Sequence, residues 1–345
     1  MLLMNNIPLP PLAAADDQKH APGLVWALHS RSGEAPAPLR AVDIPSALDS
    51  NDGWVWLHID LVDQRALAWT SRVCGLPQAA RAVFEGHDVS LALAHEAGVV
   101  HGIMVDLDQD MSRKSTSVGR LHFAVKQHVL VTGRRHSLEA VEQVRTAALG
   151  GGLRPDSAFA LFEAIVAAFC RNTTKRLADA TVKLDQVEDN LVTERIDDER
   201  FQLKDVRRLA VSLHRPIASL VALFEDEDRN DWQLSDGAHA VMHRLAARLR
   251  RLDREVVTVN DRARLLQEEV AAEMADESNR SLRALALMSA LLLPGTLIVG
   301  VFGMNVAGLP FTESSAGFIV TLILAAGATG LFYWLLLRAG ANFRG

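Results

Sequence analysis

Hydrophobic positions change their spacing along the chain, and each change predicts a different kind of structure. Between residues 23 and 152 apolar and polar residues alternate in short runs. Segments 24–29, 54–61, 99–107 and 121–132 carry the period of two and the β-branched or aromatic residues of strands, with a polar turn at 113–117. Residues 137–149 switch to helical spacing, with Ser137 placed as N-cap and Gly150, Gly151 and Gly152 as the stop. The expectation is a mixed α+β domain.

From 153 to 236 the spacing is helical throughout. Leu161, Ile165, Phe169, Leu177, Leu184, Val187 and Leu191 mark one helix over 156–192. A second covers 205–224 and carries Pro216, an expected kink. A polar break at 225–237 separates these from the most regular pattern in the chain. Leu245, Leu249, Leu252, Val256, Val259, Ala263, Leu266 and Val270 follow steps of three and four, a heptad seam in a stalk helix over 237–283. No breaker lies between Gly237 and Pro294, so one helix of about 100 Å is expected over 238–302, carrying any tilt of the stalk directly onward.

Charge then disappears. Residues 284–312 include no Asp, Glu, Lys or Arg, and 284–303 and 316–337 are each long and apolar enough for one membrane crossing. Pro294 is tolerable inside such a span where neighbouring groups take up the freed carbonyl. Arg280 and Arg283 precede the first span and Arg338 and Arg344 follow the second, while the loop 304–315 has Glu313 as its single charge. Positive flanks stay inside, so both chain ends are expected in the cytoplasm, with 338–345 as a short tail.

Composition adds little beyond this split. The chain has 345 residues, 23% of them charged, and a net charge of −6, which argues against a nucleic-acid partner. Cys74 and Cys170 form no CxxC pair and no disulfide framework, as expected of a reducing cytosolic setting. Residues 1–22 lack a basic stretch followed by an apolar core and read as a loose leader without a signal peptide. No GxSxG, P-loop, HExxH or dinucleotide fingerprint occurs, so neither an enzyme, a resident cofactor nor ATP-driven pumping is expected.

Within the first span, Asn279, Leu282, Ala286, Ser289, Leu293, Thr296 and Gly300 share one helix face. Small and hydroxyl residues on one face serve either close helix packing or the wall of a pore, and periodicity alone leaves both open. His239 and His243 stand one turn apart and offer two nitrogens to a zinc ion. A third ligand is missing nearby, Asp253 being too far along, which favours an ordinary surface pair. Glu225, Asp226, Glu227, Asp228 and Asp231 form an acidic run that reads first as a solvated loop and second as a regulatory cation site. His95, His101, His122 and His128 lie in strand-like segments as ordinary residues.

The first span ends in Phe302-Gly303-Met304-Asn305. A Gly-Met-Asn tripeptide after a proline-containing span, before a short loop and a second span, resembles the CorA family of divalent metal transporters. Val306, Ala307, Gly308 and Leu309, where magnesium-type members usually have Phe-Glu, make the loop similar to the family's zinc branch; Phe302, in place of the usual tyrosine, departs from the pattern. The resemblance implies an α/β/α sandwich in the cytoplasm, a long stalk and a homopentamer in a bacterial-type inner membrane, with five first spans around the axis. It further implies that Asn305 rings the outer mouth, shaped by Gly303 and Met304. Gly300, Thr296, Leu293, Ser289, Leu285, Leu282 and Asn279 would line the path inward, and Leu282 and Leu285 would form the constriction that closes by excluding water. Five copies of Glu313 would attract cations at the outer loop. The function expected is divalent cation transport, zinc first, passive or proton-coupled. A magnesium or cobalt channel of the same fold is the nearest rival, and a membrane-anchored sensor without flux the next.

Overall fold

The computed structural model describes residues 21–32, 34–50, 52–86, 90–108, 118–192, 199–227, 232, 234–304 and 317–338. The chain divides into two compact units, Met1–Leu266 and Gln267–Gly345.

The first unit is built on a seven-stranded sheet. Its strands are β1 (Leu24–Ser30), β2 (Ala37–Pro38), β3 (Trp54–Asp60), β4 (Ala92–Glu96), β5 (Val99–Leu107), β6 (Val118–Lys126) and β7 (Val129–Arg134), in the spatial order β2-β1-β3-β7-β6-β5-β4. Every neighbouring pair is antiparallel except β3 and β7, where Val55 pairs with Val129 and Asp60 with Arg134. The central strands are apolar on both sides. Trp54, Trp56, Leu57, Ile59, Leu130 and Val131 are all buried, as strands covered on two faces require. Short helices α1 (Ile44–Asp49), α2 (Gln64–Cys74) and α3 (Gln78–Glu85) supply Ile44, Ala66, Ala80 and Phe84 to the core that also holds Val55, Leu57 and Val131. Helices α4 (Glu139–Leu149) and α5 (Ala158–Val192) pack on the sheet as well, and Phe162 of α5 stacks on Phe123 of β6 with ring centres 4.4 Å apart. The expected sandwich is the observed one. Gly53 makes the turn into β3: its φ is 75°, and a Cβ there would stand 1.8 Å from the carbonyl oxygen of Ser30.

Three expectations need correction. The segment 121–132 is not one strand but the arms of a hairpin, β6 and β7, in which Lys126 pairs with Val129. Helices α2 and α3 fill the interval between Trp54–Asp60 and Val99–Leu107, and α1 precedes Trp54, where no helices were expected. Ser137 does not cap α4. Its hydroxyl oxygen accepts from Arg134 at 2.9 Å. The cap comes instead from Asp106 of β5, whose carboxylate takes the backbone N–H groups of Ala140 at 3.0 Å and Val141 at 3.4 Å. A side chain from a distant strand leaves no local trace in the sequence.

Helix α6 (Glu199–Glu227) and the first part of α7 (Asp236–Phe302), up to Leu266, complete the helical set of this unit. Helix α6 passes through Pro216, and α7 runs 67 residues through Pro294 without interruption. The heptad seam from Leu245 to Leu266 is buried within the chain itself. It is clamped by a two-pronged pairing of Arg244 with Glu163 of α5, at 2.6 and 2.9 Å, by the Thr174–Glu255 hydrogen bond at 2.9 Å, and by Arg262 with Asp185 and Glu188. Arg244 holds the Glu163 carboxyl below the usual range.

Candidate permeation path and metal sites

The second unit contains the last part of α7 and helix α8 (Gly317–Arg338). Both helices are long and apolar enough to cross a membrane. On α7 the partly covered positions of the span include Leu287, Leu291, Pro294, Ile298 and Phe302, with Ala290 and Gly295 beside them; on α8 they include Gly317, Thr321, Ala325, Ala328, Thr329, Phe332 and Leu336, with Val320 beside them. These two rows face each other. Gly295 marks the close approach, since a Cβ there would meet Oγ1 of Thr329 at 3.2 Å and the carbonyl oxygen of Ala325 at 4.0 Å.

The row Ser289, Leu293, Thr296 and Gly300 repeats the same steps displaced by two residues. Two residues turn an α-helix by about 200°, so this row lies on the side away from α8. It is exposed in the single chain, as are Asn279, Leu282, Leu285, Gly303 and Met304; Leu293 is 66% exposed and Leu285 62%. The Ser289 hydroxyl donates to the carbonyl of Leu285 at 2.9 Å, and that of Thr296 to Leu292 at 2.7 Å. With their protons committed to the helix, these oxygens keep lone pairs for the open side. Gly303 and Met304 continue the helix end through bonds to the carbonyls of Val299 and Val301. Asn305 and Glu313 lie outside the described residues. Arg338 sits over the Trp334 ring at 5.3 Å, an aromatic and cationic pairing suited to a membrane boundary.

The other candidates resolve individually. Nε2 of His239 engages the carbonyl oxygen of Trp232 at 2.9 Å, while His243 is exposed one turn on. The Trp232 ring in turn stacks on His95 at 5.2 Å. His122 and His128 hold the carbonyls of Val83 and Gly53, each at 2.8 Å, and His101 is buried beside that of Val99. Among the described residues no three His, Cys, Asp or Glu side chains converge as a metal cluster. Glu225, first of the acidic run, lies 3.6 Å from Arg250; residues 228–231 fall outside the described set. Burial pushes the thiols of Cys74 and Cys170 up to about 12 and about 11, which leaves both protonated and poor metal ligands at neutral pH.

Sequence reasoning missed a buried polar network in the sheet. Thr132 Oγ1 accepts from Trp56 Nε1 at 2.9 Å and meets His58 Nδ1 at 2.8 Å, while Arg134 Nε donates to His58 Nε2 at 3.0 Å. These partners fix His58 as the neutral Nδ1–H tautomer, sandwiched against Trp26, over which Arg145 lies at 5.3 Å. Burial and the two arginines hold the His58 pKa well below its usual value. Polar residues scattered over three strands carry no motif. It also missed Glu268, Glu269, Glu273, Asp276 and Glu277, five acids just ahead of the first span.

A mixed-sheet domain, a long helix and two C-terminal helices fit to cross a membrane define the class. The sequence profile of the CorA-like Mg2+ transporter protein family matches residues 51–338, and the chain belongs to that family. It is 23% identical over 294 residues to a protein of Yersinia enterocolitica described as zinc transport protein ZntB, covering 84% of this chain and 89% of that one. Among solved structures it superposes on full-length CmaX with a TM-score of 0.74 at 21% identity, covering 92% of this chain and 98% of that one. The CorA magnesium transporter of Methanocaldococcus jannaschii gives a TM-score of 0.71 at 14% identity, covering 91% and 97%. These likenesses extend the fold over nearly the whole chain.

Proposed function

We propose that the chain transports divalent metal cations, zinc first, through a homopentameric pore across a bacterial inner membrane, with both termini in the cytoplasm. The observation that carries this reading is the row Ser289, Leu293, Thr296 and Gly300, left open on the side of α7 away from α8. An isolated two-helix hairpin encloses nothing, so an open row of hydroxyl, glycine and leucine positions acquires a purpose when several copies bring it to a common axis. In that arrangement the Ser289 and Thr296 oxygens accept hydrogen bonds from the water shell of a passing ion. Leu282 and Leu285 form the apolar constriction, and Asn279 meets the ion at the cytoplasmic end.

At the outer mouth, Asn305 offers a neutral amide oxygen that holds a hydrated divalent ion loosely enough for release, where a carboxylate cage would retain it. Gly303 and Met304 shape that turn, and Glu313 raises the local cation concentration. Zinc is favoured by the loop from Val306 to Leu309 and by the description of the Yersinia relative as a zinc transport protein. Magnesium is the second reading, supported by the family's description. The relatives are described as transport proteins, in keeping with a chain that is not an enzyme.

Flux into proteoliposomes tests the proposal, with zinc, magnesium, cobalt and nickel compared with and without a pH gradient. Zinc uptake that falls about tenfold in Asn305→Ala, the effect of about 1.4 kcal/mol, is the expected result. Magnesium flux without zinc flux selects the second reading. Intact pentamers that pass no metal overturn both and leave a membrane-anchored sensor.

A further inference from the structure

We infer that the cavity between α6 and the starts of β4 and β6 binds a small phosphate monoester with a hydroxyl-bearing body, the chemistry shared by nucleotides and sugar phosphates. The cavity measures about 1080 Å3. One wall is a face of α6 that carries Ser212, Arg215, Pro216 and Ser219. The other is Leu91, just ahead of β4, with Val118 and Arg120 of β6. Helix α6 packs on β4 and β5, so both walls belong to the first unit. The volume is at the upper end of ordinary small-molecule sites, about 300–1,000 Å3.

The charge of the lining is one-sided. Arg120 and Arg215 both line the cavity, and among the described residues no Asp or Glu does. Arg215 also forms no ion pair among the described residues. Burial pulls the Arg120 pKa down, so its charge gains from an anion beside it. A phosphate group, with up to two negative charges and three free oxygens, matches a pair of guanidinium forks. The same pair repels a metal cation.

The rest of the lining suits the body of such a ligand. The Ser212 hydroxyl donates to the carbonyl of Leu209 at 2.8 Å, and that of Ser219 to the carbonyl of Arg215 at 2.9 Å. With these protons committed to the helix, both oxygens act as acceptors. Pro216 has no N–H to give the Ser212 carbonyl, which leaves that acceptor without its ordinary helical donor. Acceptors match ligand hydroxyls and not further phosphate oxygens. Leu91, Val118 and Leu223 add apolar surface for a carbon skeleton. No lining residue belongs to the spans, so the inference is independent of the proposed pore.

The test is calorimetric titration of the full-length chain in detergent, without divalent metal, with AMP, ribose 5-phosphate, inorganic phosphate and adenosine. Saturable binding of AMP or ribose 5-phosphate, one per chain and tighter than inorganic phosphate or adenosine, is expected. AMP binding tighter than ribose 5-phosphate identifies a nucleotide, and equal binding a sugar phosphate. Arg215→Gln should weaken binding about tenfold or more. Ala222→Trp, at an exposed position of the lining, should block the cavity while both arginines remain. Arg72→Gln, an exposed arginine outside the lining, should leave binding unchanged. All three positions are exposed, and unchanged melting without ligand confirms that the variants fold. No saturable binding of either phosphate ester at millimolar concentration overturns the inference. So does adenosine binding as tightly as AMP, or an equal loss in Arg72→Gln and Arg215→Gln. Metal flux is not read in this experiment, so its failure is distinct from failure of the transport reading.

Discussion

Gly295 of α7 meets Thr329 of α8 so closely that a single added methyl would stand 3.2 Å from the threonine oxygen. Gly295→Leu therefore has to push the two spans apart, at a cost of about 1–3 kcal/mol typical of overpacking. Gly327→Ala is the control, because nothing lies within 4 Å of a Cβ there. Melting of the full chain in detergent should be lowered by the first substitution and unchanged by the second.

Opposite sides of the same helix should differ in access to water. A membrane-impermeant thiol reagent is expected to modify Thr296→Cys and Gly300→Cys, and to spare Leu291→Cys on the row that faces α8. The background for this comparison is a chain with Cys74 and Cys170 replaced by alanine. Equal labelling of all three positions, or protection of the first two under every metal and pH condition, would remove the pore from consideration.

Two buried groups should pull the acid stability of the first unit in opposite directions. His58 titrates well below its ordinary 6.5 when folded, so its neutral form stabilises the fold above about pH 6.5 and this contribution drains away as the pH falls. Asp106 is pushed up to about 7 by burial, against the pull of its amide donors. Its contribution is fullest below pH 3.8, the unfolded value, and is lost as the pH rises through 7. Urea denaturation at pH 5.5 and 7.5 should show His58→Gln losing the upward component with pH, and Asp106→Asn losing the downward one. Each also sacrifices buried hydrogen bonds, so both variants should be less stable by about 1–3 kcal/mol at their best pH.

The heptad seam makes a sharp contrast between two leucines of α7, one on it and one off it. Leu249 is 1% exposed and Leu265 is 63% exposed on the same helix. Leu249→Ala should cost about 2–5 kcal/mol of domain stability by opening a cavity. Leu265→Ser should change it by less than about 0.5 kcal/mol. Denaturation of each variant in parallel with the unaltered chain checks both values.

Periodic features were the legible ones. The seam from Leu245 to Val270, the helix of residues 156–192 and the two apolar spans repeat a pattern often enough to be read without knowledge of neighbours. Contacts between distant residues were illegible. Asp106 caps α4 from another strand, and its local sequence gives only an acid within a strand. The 121–132 hairpin looked continuous because Gln127 and His128 make its turn without glycine or proline. For the path, the open row was readable as one face of a helix, but the reason it is open is the position of α8, which Gly295 and Thr329 fix only in three dimensions.

The lone parallel pairing in the sheet has a consequence for how the chain comes together. His58 and Thr132 touch at its centre yet are 74 positions apart in sequence. On the ribosome, β1 and β3 therefore emerge with an apolar edge that waits for β7, and the first unit cannot close until the intervening helices and strands have been made. Such late, long-range closure is slow. It makes the nascent domain a natural client for chaperones before the spans are delivered to the membrane.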